Sequence, residues 1–245
     1  EYILREIEAL GVDLRGAFAR GVGYWLLGKR DRLCDFLSQV AKVEFLKKRD
    51  PNDVVVLYVL LGRVTALSGL YRVNKELKIA EFLQRNFTEE KNRVAAVKNA
   101  FVLESQHRYV IAMAFFLLGG SPRDAVKVAI NRLHDAQFAL VVAKLARTDY
   151  EQIVTDLILP FVREKGDFVA EFFCLNELHR QKEALSCLLR ITDMPSLLYL
   201  FVFLKSNTLY RKLYCLDELP ITAFDLVRRN IHLYIRNRCA PLAYH

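Results

Sequence analysis

Residues Ala114–Leu133 read AFFLLGGSPRDAVKVAINRL. An aromatic and leucine run ends at Gly119-Gly120, and a different pattern starts at Ser121. The Ser121 hydroxyl can cap free helix-terminal N–H groups, Pro122 suits a first helical position that needs no N–H, and Asp124 completes a capping-box-like start. Ala125, Val126, Ala129, Ile130 and Leu133 then form one stripe at helical spacing, with Arg123, Lys127, Asn131 and Arg132 on the other face. The stretch predicts a helix, a tight turn and a second helix.

Similar starts recur on either side. Asp50-Pro51-Asn52-Asp53 places a capping Asp before a proline, ahead of Val54–Leu61, and Thr148-Asp149-Tyr150-Glu151 reads as a capping box before Ile153, Val154, Leu157 and Ile158. Thr88-Glu89-Glu90 opens a helix whose predicted buried face is Val94, Ala96, Val97, Ala100, Phe101 and Leu103. Phe224, Val227, Ile231 and Tyr234 also recur at helical spacing. The runs Val54–Leu61 and Leu197–Leu204 suit buried strands by composition. Each follows a helix-start proline, Pro51 or Pro195, and each continues into a helical pattern, so both are read as buried helices.

Pairing the helices exposes a weak repeat. Tyr24-Trp25-Leu26-Leu27-Gly28 precedes Leu33, Phe36 and Leu37; Tyr58–Gly62 precedes Ala66, Leu67 and Leu70; Phe115–Gly119 precedes Ala125 and Val126; Phe172–Leu175 leads to Ala184 and Leu185. Each unit is an aromatic-plus-leucine helix, a turn, and a helix with a small residue facing back, which is how a helical hairpin is written. The turn glycines 28, 62 and 119 are unevenly spaced, so the expected architecture is all-α, an irregular α-solenoid of stacked hairpins. Residues 1–190 form its main region and 191–245 its continuing C-terminal helices.

Composition agrees. The chain has 245 residues, 53% hydrophobic and 26% charged, with only 10 Gly and 6 Pro. That is enough apolar material for a large core and too few turn residues for a sandwich, propeller or barrel. Its longest apolar runs, Tyr109–Leu118 and Leu197–Leu204, fall short of the roughly 20 residues that span a bilayer. The opening Glu1–Glu8 is charged and amphipathic, unlike a signal peptide, and the first residue is not Met, which predicts a piece of a longer polypeptide. The five cysteines, Cys34, Cys174, Cys187, Cys215 and Cys239, are scattered through apolar stretches, as buried thiols of a reducing compartment would be. A soluble intracellular protein is expected.

Motifs for chemistry are scarce. The histidines 107, 134, 179, 232 and 245 are dispersed, and HExxH and CxxC spacings are missing, so neither a metal nor another cofactor is predicted. Gly21-Val22-Gly23 and Gly119-Gly120 lack the continuation of a phosphate loop, and GxSxG is absent. No catalytic residue is assigned and no enzyme is expected. Trp25 reads as packing within the first hairpin.

The net charge is +8, of which residues 205–240 carry +4 through seven basic and three acidic side chains. Arg228, Arg229, Arg236 and Arg238 are the candidate partner-binding residues. They form either a solvated helix face or a docking surface for an acidic helix, an anionic lipid surface or RNA. Tyr210, Leu213 and Tyr214, although interleaved with Arg211 and Lys212, lie at core spacing.

Several motifs occur in an order that resembles a known family. They are Asp50-Pro51-Asn52-Asp53, Leu57–Leu60, Leu67-Ser68-Gly69-Leu70-Tyr71-Arg72, Phe82-Leu83 with Asn86-Phe87, and Arg93–Phe101. Ala114–Ser121 with Asp124-Ala125-Val126, and Asp135–Leu145, follow. Together they are similar to the Rav/Dmx-like (rabconnectin alpha) family, over about residues 20–190. The resemblance implies the helical region of a large scaffold that carries WD-repeat propellers upstream. Such scaffolds belong to RAVE-type complexes, which promote assembly of the vacuolar-type proton ATPase and so organelle acidification. The implied partners are cytosolic-sector subunits of that ATPase and accessory RAVE or rabconnectin subunits, in a hetero-oligomer. Nucleic acid is not expected. The implied location is cytoplasmic, with recruitment to endosomal, vacuolar or vesicle membranes through partners. A vesicle-coat or membrane-tethering solenoid subunit is the second reading, an RNA-binding helical module the third.

Overall fold

A computed structural model describes residues 14–19, 21–146, 148–188, 190–193, 196 and 200. The described residues are all-α, and no strand occurs among them. The chain divides into two compact units, Glu1–Phe161 and Val162–His245.

The first unit begins with α1 (Leu14–Ala19), α2 (Val22–Leu26) and α3 (Arg30–Lys48). Helix α3 has Asp31 in its first turn and Lys47 and Lys48 in its last, each complementing the helix dipole. A single 3-10 turn, Pro51–Asp53, follows. As expected, Asp50 caps it, accepting a 2.8 Å bond from the Asn52 amide. Then come α4 (Val55–Leu60), α5 (Val64–Val73), α6 (Leu77–Leu83), α7 (Glu90–Ser105), α8 (Tyr109–Leu118), α9 (Pro122–Asn131) and α10 (Ala136–Ala146). The strand-like run at Val54–Leu61 is thus a helix, with Val54, Val55, Val56 and Leu57 at most 1% exposed. Leu197–Leu204 lies outside the described residues, apart from Leu200.

Helix α8 is the hub of this unit. It packs against α7, α9 and α4, and seven of its ten residues are buried. Each fully buried large side chain, such as Phe116 or Met113, contributes about 1.5–3 kcal/mol by leaving water. Helix α10 packs on α9 and α2. Its C-terminal carbonyls at Lys144 and Leu145 accept bonds of 3.2 and 3.3 Å from the Arg30 guanidinium, closing a helix end with a cation. Trp25 is half-buried in α2.

Three hairpins share one construction. In α5–α6, α8–α9 and α13–α14, the last two being Phe168–Glu177 and Gln181–Leu188 of the second unit, a left-handed residue precedes the first helix. Another follows it thirteen positions later: Gly62 and Lys75, His107 and Gly120, Gly166 and His179. Each second turn carries the same pair of backbone bonds. Glu76 N–H donates to Tyr71 C=O at 2.9 Å and Lys75 N–H to Arg72 C=O at 3.0 Å; Ser121 donates to Phe116 and Gly120 to Leu117; Arg180 donates to Leu175 and His179 to Asn176. This is the Schellman closure. The residue that ends it (Glu76, Ser121 or Arg180) directly precedes the next helix. Five positions into that residue's stretch stands a small side chain, Ala80, Ala125 or Ala184, each 0% exposed.

Gly62 makes the same closure between α4 and α5, Arg63 N–H donating to Tyr58 C=O at 2.8 Å and Gly62 N–H to Val59 C=O at 3.0 Å, so the expected turn after Tyr58–Leu61 is present. By the spacing of left-handed residues and the buried alanine, the hairpin that matches α8–α9 is the next one, α5–α6, which turns at Lys75. Within Gly119-Gly120, Gly120 makes the turn at φ +73, while Gly119 is ordinary helical backbone. Replacing a left-handed non-glycine residue by glycine removes a steric conflict worth about 1–2 kcal/mol, partly offset by chain entropy. His179→Gly is expected to stabilise the chain by about 0.5–1 kcal/mol, read as a higher thermal midpoint; a lower one refutes this account of the turn.

Two predicted helix starts differ in detail. Ser121 makes no cap bond to the backbone; its hydroxyl donates instead to Asp124 Oδ2 at 2.6 Å. Asp149 is left-handed and makes no side-chain cap bond, so the box at Thr148–Glu151 does not form. The helix it precedes, α11 (Tyr150–Ile153), widens into a π turn over Val154–Ile158 and resumes as α12 (Leu159–Lys165). The wide turn lies just ahead of Pro160, whose ring would clash with an α-helical carbonyl four residues back. In the second unit, Asp167 caps α13 through a 2.9 Å bond from the Ala170 amide.

Candidate docking surface

Helices α7 and α8 pack against each other through small residues. Helix α7 meets α8 through Ala96 and Ala100, both 0% exposed, and Gly119 lies against the Arg93–Val97 backbone. Small residues at the seam turn the larger ones outward. Val94, Phe101 and Val102 are 45%, 54% and 53% exposed. The sequence assigns Val94 and Phe101 to the core, and the structure corrects that: Ala96 and Ala100, with Val97 beside Gly119, take the inward positions and turn Val94 and Phe101 to the margin. Phe101 keeps one edge on Phe116, with ring centroids 4.9 Å apart. Exposed Lys91 and Lys98 lie on α7 beside this apolar strip, and Glu104 is engaged by Arg132 Nε at 3.1 Å. Chemically the strip can bury area against another protein. The other exposed large hydrophobic residues among those described, Leu46, Val73 and Leu77, also belong to the first unit.

The second unit contains a polar centre that sequence reading missed. Glu171, on α13 and 3% exposed, accepts from Arg163 Nε at 2.8 Å and from Arg190 Nη1 at 3.0 Å. Arg190 also covers the Phe168 ring at 4.2 Å. A charged residue at the first turn of an apolar helix gives no hint of burial; only its partners, eight and nineteen residues away, do. Burial pushes the thiols of Cys174 and Cys187 upward, the latter to about 11, so neither is a ready nucleophile.

Of the histidines, His107, His134 and His179 each occupy a left-handed turn. Arg228, Arg229, Arg236 and Arg238 lie outside the described residues, as do Tyr210, Leu213 and Tyr214. Among the described residues, no helix is long and apolar enough to cross a membrane.

Comparison with known proteins gives this surface its context. DmX-like protein 1 of Mus musculus is 40% identical over 138 residues, 56% of this chain and 4% of that protein. Regulator of V-ATPase in vacuolar membrane protein 1 of Saccharomyces cerevisiae is 30% identical over an alignment of 257 positions, covering 91% of this chain and 19% of that protein. Its Schizosaccharomyces pombe namesake is 27% identical over 177 positions, 68% of this chain and 14% of that protein. The chain thus spans a small part of the length of each relative. Residues 12–194 match the family model described as RAVE protein 1 C terminal, and with three quarters of its length matched, the chain belongs to that family.

Proposed function

We propose that this chain is a non-catalytic helical scaffold that promotes assembly of the vacuolar-type proton ATPase. The observation that carries the reading is the family match across residues 12–194, supported by two yeast relatives whose names describe regulators of that ATPase. Hairpins of the construction seen here suit a solenoid, in which each buries its apolar side on the next and leaves outer walls for partners. The partners in this reading are cytosolic-sector ATPase subunits and accessory subunits of a RAVE-type complex. Through them the chain reaches the vacuolar or endosomal membrane as part of a hetero-oligomer. The α7 strip of Val94, Phe101 and Val102 is the first surface to test.

Affinity purification with the full-length protein is expected to recover cytosolic-sector subunits. Val94→Asp combined with Val102→Asp is expected to cut that recovery several-fold with little change in the thermal midpoint of the 245-residue chain, since both side chains are about half exposed. Recovery of no ATPase subunit by a folded bait, or of vesicle-coat subunits in their place, refutes the assignment.

A further inference from the structure

The turn between α5 and α6 combines features that protein interiors and ordinary helix ends do not call for. Val73 and Leu77 flank it and are 78% and 58% exposed. Between and beside them stand Arg72, Lys75 and Lys78, all exposed. Arg72, in the last turn of α5, suits the negative end of that helix. Lys78 does the opposite: it sits in the first turn of α6, where a cation is disfavoured, with Glu76 at the N-cap as its acidic neighbour.

A second basic turn is tied to the first. Asn74 Nδ2 donates to the Arg49 carbonyl at 2.9 Å, which holds the exposed, left-handed Arg49 at the end of α3 beside the α5–α6 turn. Of the carboxylates between the two turns, Asp53 is ion-paired, while Asp50 and Glu76 bond to neutral amides and keep their charge. Asp50 accepts from the Asn52 amide, Glu76 accepts from Asn52 Nδ2 at 3.5 Å, and Asp53 pairs with Lys48 at 3.0 Å. Tyr71 completes the bracket by donating to Asn52 Oδ1 at 2.9 Å. Exposed Glu81 stands a turn further along α6. What faces outward is Val73 and Leu77 among four cations, Arg49, Arg72, Lys75 and Lys78, which outnumber the half-buried Glu76 and the exposed Glu81.

We propose that the α5–α6 turn, with Val73 and Leu77 set among Arg49, Arg72, Lys75 and Lys78, docks directly on an anionic membrane surface. Charge complementarity selects the occupant: the turn offers cations to lipid phosphates and carboxylates, and its apolar residues project from a turn tip rather than line a groove. A projecting apolar pair suits insertion at the headgroup boundary, whereas a partner helix needs a trough to lie in. Neither signal alone anchors a protein; together they give reversible attachment that weakens with salt. This contact is independent of the ATPase reading, since it needs lipid and no partner subunit.

Vesicle flotation of the 245-residue chain tests it. The chain is expected to float with vesicles containing phosphatidylserine, to stay behind with pure phosphatidylcholine, and to release as ionic strength rises. Lys75→Glu with Lys78→Glu is expected to weaken binding at least about tenfold, since each basic residue near the surface contributes roughly a fivefold effect. Val73→Asp with Leu77→Asp should do the same with unchanged circular dichroism and thermal midpoint. Equal binding to both vesicle types overturns the proposal. So does flotation that survives both double substitutions, which would place lipid binding in residues 205–240. Loss of ATPase-subunit capture by Val73→Asp with Leu77→Asp, with flotation intact, would make the turn a protein contact and equally overturn it.

Discussion

Gly119→Ala is expected to destabilise the chain by about 2–3 kcal/mol, and Gly119→Val to prevent α7 from seating on α8 at all. A Cβ on Gly119 would stand 2.5 Å from Val97 Cγ2, 3.1 Å from the Arg93 carbonyl oxygen and 3.2 Å from the Val97 amide nitrogen. The first conflict is with a stiff β-branched side chain and the other two are with backbone, so little can move aside. Gly120 provides the control. Its requirement is conformational, at φ +73, and the only neighbour a Cβ would meet there is Arg93 Cδ at 3.6 Å. Gly120→Ala should therefore cost only about 1–2 kcal/mol. Adding Val97→Ala should recover part of the Gly119→Ala loss and none of the Gly120→Ala loss. Equal coupling in the two double-mutant cycles, measured by denaturant unfolding, would contradict this division of labour.

The second large effect is in the Val162–His245 unit. Replacing both Arg163 and Arg190 by methionine leaves Glu171 buried with neither of its partners. Removing the partners of a buried charge costs about 3–5 kcal/mol, of which the lower end is expected here because both guanidinium arms are half-exposed. Each single substitution leaves one bridge in place and should cost much less. Converting Glu171 to leucine on top of the double change removes the orphaned carboxylate and should restore most of the stability, because an apolar side chain suits that site. A triple variant no more stable than the double one would show that the loss came from the arginine stems and not from the stranded charge.

The part of the fold that depends on side-chain period was legible. The turn Pro51–Asp53, the helices Val55–Leu60, Tyr109–Leu118 and Pro122–Asn131, and the backward-facing Ala125 and Ala184, follow from spacing and from helix-start chemistry. The turns were legible only where glycine marks them. Lys75 and His179 perform the same left-handed turn as Gly120, yet nothing in a lysine or histidine announces it; the closure depends on backbone bonds rather than on side-chain type. Burial on α7 was misjudged for another reason. Periodicity identifies an apolar face but not which of its residues meets the neighbour, and at this seam the fully buried positions are Ala96 and Ala100. The π turn before Pro160 likewise answers a local clash that apolar spacing does not register. The basic α5–α6 turn was invisible because Asn74 and Arg49 meet only after folding, and because Val73 and Leu77 look like ordinary core residues.

In the three matched hairpins, the residue that closes one helix also stands at the threshold of the next, so there is no slack between them. One inserted amino acid in 74–76, 119–121 or 178–180 would rotate everything downstream by about 100° around the second helix and swing its inward alanine toward solvent. Length variation should then be confined to looser stretches such as 84–89, while the paired helices behave as fixed-length cassettes. Scanning single-residue insertions along the chain and scoring soluble yield should trace that boundary as alternating intolerant blocks and permissive gaps.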